Sequence, residues 1–141
     1  MANYRQRPLL IGALAAGAAA LAMLLFFDPA TSGMFPPCPL LYLTGWYCPG
    51  CGSLRAMHQL LHGDLRAAWA LNPLTVLLLP SLIYGAASYA YRELRGKYLP
   101  HVFLPAIWIR ALCAVIILFG IARNLPFHPF NLLAPGALLH P

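Results

Sequence analysis

The stretch PLLIGALAAGAAALAMLLFF, residues 8–27, decides the fold class. It holds no charged residue, and as a helix rising ~1.5 Å per residue it covers the ~30 Å hydrocarbon core of a bilayer. It follows Arg5 and Arg7 and stops at Asp28-Pro29. A basic start before an apolar run is also the pattern of a secretory signal. This run is long for a signal core, however, and no clean A-x-A site precedes Ala30 or Ser32, so it reads as a span that stays in the chain.

Two further stretches fit the same length rule. Residues 72–91 run apolar up to Arg92-Glu93-Leu94-Arg95-Gly96-Lys97, and residues 102–122 run apolar up to Arg123-Asn124-Leu125-Pro126. Pro73, Pro80 and Pro105 lie at helix starts or inside helices, and Pro80 predicts a kink. The composition agrees. Of 141 residues 61% are hydrophobic and 9% charged, against roughly 25% charged in soluble domains, and the mean hydropathy is +0.71. Too little polar surface exists to cover a water-soluble globule of this size. Four cysteines make no disulfide-dense secreted scaffold, and the apolar content excludes disorder. The expected fold is an all-α membrane protein of three transmembrane helices in one domain, with residues 123–141 as a proline-rich tail.

Charge sets the expected orientation. The net charge is +6, yet no basic cluster exceeds three residues, so the excess points to topology rather than to nucleic acid. Arg5, Arg7 and the three basic residues of 92–97 flank a loop, residues 28–71, whose Asp28, Arg55, Asp64 and Arg66 sum to zero. The positive-inside rule puts the two basic segments in the cytoplasm and the long loop outside.

Within that loop, residues 38–52 carry Cys38-Pro39, Thr44-Gly45 and Cys48-Pro49-Gly50-Cys51-Gly52. Prolines, glycines and aromatics there predict a tight turn near the headgroups. From Ser53 the period becomes helical. At 100° per residue Leu54, Met57, Leu61, Leu65 and Ala68 share one face, and Arg55, His58, Gln59, His62 and Arg66 share the other. Gly63 is a helix stop and Asp64 an N-cap. Two short interfacial amphipathic helices follow, over residues 53–62 and 65–71.

This segment resembles a family of small bacterial membrane proteins of unknown function marked by a Cys-Pro-x-Cys-Gly motif. The resemblance rests on Cys38-Pro39, Thr44-Gly45, Cys48 to Gly52, Arg55-Ala56, His62-Gly63-Asp64, Ala68 and Asn72, and extends to Arg123-Asn124-Leu125-Pro126. Ser53-Leu54 departs from the pattern, which has an apolar residue and then Thr before the arginine. The resemblance implies a multi-pass protein of the bacterial cytoplasmic membrane and carries no activity with it.

The cysteines admit three chemistries. Cys48 and Cys51 can staple the loop as a disulfide, between themselves or with Cys38. They can form a metal knuckle with Cys38 as a third ligand, zinc being the natural ion. Or they can exchange disulfides, with Cys51 activated by the helix that starts after it. His58 and His62, four apart on one face, have the spacing to hold one ion; the plainer reading makes them polar residues at headgroup depth. Cys51 and His58 are about 10 Å apart along a helix, so a joint site requires the chain to fold back before Ser53. Cys113 reads as a packing residue and Arg110 as an interfacial anchor.

Arg123, at the outer end of the third span, shares a layer with Arg55, Asp64 and Asn124. The expectation is a polar latch in which Arg123 holds Asp64 or backbone carbonyls of residues 45–64. The functional expectation is a binding or structural module displaying a cysteine-constrained loop outside the membrane. Its partners are the lipid bilayer and another membrane protein or a second copy. The alternatives are a thiol–disulfide oxidoreductase using Cys48 and Cys51, or a zinc-binding membrane module. With three acids in the chain, a hydrolase or proton relay is poorly supplied.

Overall fold

The computed structural model describes residues 7–95 and 105–136. Arg5, Lys97, His101, His140, the first residues of the expected third span and the end of the tail lie outside the described residues. Within them the chain is all-helical, with no strand. Helix α1 is Arg7–Phe26, α2 Pro39–Thr44, α3 Ser53–Leu61, α4 Leu65–Leu71, α5 Pro73–Arg95 and α6 Ala106–Ala122; a 3-10 turn follows at Phe130–Leu133.

Two of these, Pro8–Phe26 and Pro73–Arg95, are long and apolar enough to cross a membrane. Helix α6 is apolar but has 17 residues, about 25 Å at ~1.5 Å per residue. Large apolar side chains stand outward along all three, among them Leu9 and Ile11 on α1, Leu82 and Ile83 on α5, and Ile117 and Leu118 on α6. Helix α5 runs on through Arg92 to Arg95, past the apolar stretch that ends at residue 91. Arg92 donates to Glu93 at 2.9 Å there, and Arg92 and Arg95 lie in the last turn, where cations oppose the negative end of the helix dipole. Pro80 is accommodated within a continuous α5.

Helix α2 was expected as loop. Pro39 occupies its first turn, where a missing N–H costs nothing, and Gly45 ends it in the left-handed region, its N–H reaching Leu41 O. Its Thr44 hydroxyl turns back onto Leu40 O at 2.6 Å. The α3–α4 corner has the sequence-predicted Gly63-Asp64 chemistry. Gly63, at φ 81°, donates to Leu60 O at 3.1 Å and Asp64 donates to Gln59 O at 2.9 Å, the paired bonds of a Schellman stop. The Asp64 carboxylate then caps α4 through Ala67 N–H at 2.8 Å.

A small apolar core of Ala56, Ala68 and Leu71, with Leu60 and Val76 against it, joins α3, α4 and α5. Alanines let the helices approach closely. The largest side chains that are fully buried are polar: Arg123 and Asn72. A buried polar group is costly unless its hydrogen bonds are made, and what these two bond is the cysteine turn.

Candidate functional site: three thiols on a latched turn

Residues 48–52 form two successive turns, closed by Cys51 N–H to Cys48 O and Ser53 N–H to Gly50 O, each at 3.0 Å. Gly52 at φ 84° must be glycine for two reasons: the left-handed backbone, and a Cβ there would stand 2.7 Å from Leu71 O. The turn sends its carbonyls inward. Arg123 Nη1 donates to Cys48 O at 3.0 Å, Pro49 O at 3.3 Å and Cys51 O at 3.0 Å. Asn72 Nδ2 donates to Pro49 O at 3.0 Å, Cys51 O at 3.2 Å and Ser53 Oγ at 3.1 Å. Its Oδ1 accepts Thr75 N–H at 3.1 Å, so one side chain caps α5 and grips the turn. Asn124 holds the strand of chain before it, accepting Tyr47 N–H at 2.7 Å and donating to Tyr47 O at 2.9 Å. Gly120 completes the fit, because a Cβ there would meet Pro49 Cδ at 3.1 Å.

With the carbonyls gripped from within, the sulfurs turn to the other side. Cys48 Sγ lies 3.0 Å from Cys51 Sγ and 3.4 Å from Cys38 Sγ, and all three sulfurs lie within 4.8 Å of one another. Cys48 N–H points at Cys51 Sγ at 3.2 Å. All four cysteines are free thiols; Cys51 is buried, Cys38 and Cys48 half-buried. The triad opens onto a cleft of about 470 Å³ whose other walls include Pro29, Phe35, Pro36, Pro37 and Arg55.

The thiols differ electrostatically. Cys38 sits at the start of α2, where the backbone N–H of Leu41, with the neighbouring thiols, holds it down at about 7. Cys51 is pushed up to about 12, chiefly by burial. Burial disfavours a thiolate there, whereas the sequence leads one to expect that the helix after Cys51 activates it; α3 does begin at Ser53. Burial also lowers the Arg123 guanidinium, with the cysteines and Tyr47 acting the other way; it stays a cation. Its Nε and Nη2 have no hydrogen-bond partner among the described residues, and its carbon lies 5.0 Å over the Phe119 ring and 5.8 Å over Tyr47, faces that attract a cation.

The other sequence-predicted residues fall elsewhere. Asp64 serves α4, so no Arg123–Asp64 pair forms. Arg55 stands at the cleft, apart from the grip on the turn. The His58 and His62 rings lie 4.3 Å apart and tilted by 45°, His58 Nδ1 bonding Leu24 O on α1 and His62 Nδ1 bonding His58 O; neither joins the cysteine cluster. Cys113 is exposed on α6 rather than packed inside. Asn72 was not singled out for this role, although an Asn directly before a helix-starting Pro is a cap signal.

Residues 38–86 match the family described as Protein of unknown function (DUF2752). The match takes in the three thiols and Asn72, and stops short of Arg123 and Asn124. No curated protein and no solved structure matches the chain. The described residues make an all-helical protein with two helices long and apolar enough to cross a membrane and a cysteine cluster that could hold a metal ion.

Proposed function

We propose that this chain is a three-span protein of the bacterial cytoplasmic membrane that binds one thiophilic metal ion, zinc foremost, through Cys38, Cys48 and Cys51 on the outer face. The convergence of three sulfurs on one cleft is the observation that carries the reading. In a tetrahedral thiolate site with Zn–S ~2.3 Å, the sulfurs stand about 3.8 Å apart. The separations of 3.0 and 3.4 Å need only a small opening, which mutual repulsion of thiolates favours. The ion would lower all three thiols, including the one that burial holds protonated.

The third crossing by α6 is supported by its end, since Arg123 and Asn124 bind the layer that also receives the end of α1 and the start of α5. Outward apolar side chains on α1, α5 and α6 suit lipid and a further membrane helix, from another protein or a second copy. The role is binding rather than turnover.

Metal analysis of the intact protein purified in detergent is the test. One zinc per chain is expected, lost in Cys38→Ser, Cys48→Ser and Cys51→Ser alike. A second reading, thiol–disulfide exchange, draws on Cys38 at about 7 beside a Cys48–Cys51 pair 3.0 Å apart. A metal-free protein with a reducible Cys48–Cys51 bond would favour it.

A further inference from the structure

The cysteine site has three ligands and needs four. Among the described residues no other His, Cys, Asp or Glu joins the cluster. Both loop histidines point a ring nitrogen at backbone carbonyls. The acids are committed locally as well: Asp28 to Ala30 N–H, Asp64 to Ala67 N–H and Glu93 to Arg92. Zinc sites with three protein ligands keep an open position for an outside ligand, and here the cleft lies against the sulfurs.

Charge says what kind of ligand. Three thiolates on a divalent ion carry one net negative charge. Arg123, fully buried and without a carboxylate among the described residues, offsets it. The site and its latch are together neutral, so an incoming anion meets no net repulsion. Arg55 supplies the next cation. It lines the cleft, is half-buried, and has no hydrogen bond or ion pair among the described residues. Phe35 and three prolines give the cleft an apolar wall, and the volume of about 470 Å³ exceeds what a bare ion or water fills.

We propose that the cleft binds an organic monoanion, whose thiolate or carboxylate head takes the open metal position beside Arg55 while its apolar body lies against Phe35 and the prolines. The step is ligand exchange: the anion's donor atom replaces water on the ion, and no electron is transferred. The inference rests on the metal reading above.

The test uses the full-length protein in detergent, loaded with cobalt(II), whose visible spectrum reports the fourth ligand. Three probes are titrated: thiophenolate, azide as an anionic head without a body, and imidazole as a neutral donor. Thiophenolate should shift the cobalt bands at lower concentration than azide. Arg55→Gln, which loses no bond to a described residue, should weaken both anions about three- to fivefold and leave imidazole unchanged. Cobalt bands that no probe moves would overturn the open position, and equal anion affinities in Arg55→Gln would overturn the anionic ligand; in both cases cobalt binding itself, and so the metal reading, survives. A protein that takes up no cobalt overturns both.

Discussion

Arg123 and Asn72 grip the same carbonyls from two directions, and their joint removal should cost more than the separate removals add up to. Replacing Arg123 with Met keeps the aliphatic stem between Tyr47 and Phe119 but removes the fork. No carbonyl is then left bare: Cys48 O keeps Cys51 N–H at 3.0 Å, and Pro49 O and Cys51 O keep Asn72. The loss of charge-assisted bonds, ~1.5–3 kcal/mol each, is offset by relieving a buried cation, and we expect a net cost of about 1–2 kcal/mol. Asn72→Ala alone removes the α5 cap, worth ~1 kcal/mol, while Arg123 still serves both carbonyls. The double variant orphans Pro49 O and Cys51 O together, each at ~1–3 kcal/mol. It should therefore exceed the sum of the singles by about 2 kcal/mol. Reversible unfolding in mixed micelles with increasing sodium dodecyl sulfate, followed by circular dichroism, measures all four corners of the cycle. Additivity within about 0.5 kcal/mol would refute the shared grip.

Two glycines in the left-handed region separate backbone strain from crowding. Gly63→Ala meets open space and should cost ~1–2 kcal/mol, whereas Gly52→Ala also drives a Cβ to 2.7 Å from Leu71 O and should cost several kcal/mol or abolish folding, read by the same micelle titration. In the metal-free protein, alkylation of Cys38 should be half-maximal near pH 7 and Cys51 should stay protected until about pH 12. Because folding lowers Cys38 from its ordinary 9.0 to about 7, its contribution to stability is present above pH 9 and lost as the pH falls through 7. An impermeant maleimide applied to intact cells should label Ser32→Cys and spare Gly96→Cys; the reverse would turn the cysteine loop to the cytoplasm, where thiols stay reduced.

What the sequence made legible was local. Apolar length announced α1 and α5, the Gly63-Asp64 pair announced the α3–α4 corner, and Cys38, Cys48 and Cys51 stood out by type and spacing. What it left hidden depends on distance in space. Nothing near Asn72 says that its amide reaches back to residues 49 and 51, because a cap signal specifies one bond and not the other three. Arg123 as a donor to loop carbonyls could be expected from a guanidinium at a helix end. Its indifference to Asp64 could not, because an N-cap one helix away competes for that acid. The burial that pushes the Cys51 thiol up is likewise a matter of packing in space, which its spacing from Cys48 does not report.

The guanidinium that holds the cysteine turn comes 72 to 75 residues after the carbonyls it binds. A ribosome therefore delivers the thiols long before it delivers their clamp. While α5 is being made, Asn72 is the only one of the two grips yet present, and Gly120, which lets Pro49 seat, is also still to come. The turn reaches its final shape only once the end of α6 has been made and packed against it. The arrangement of the sulfurs is in this way tied to residues at the far end of α6, and a protein truncated before Arg123 would carry every cysteine of the site yet lack the frame that aims them.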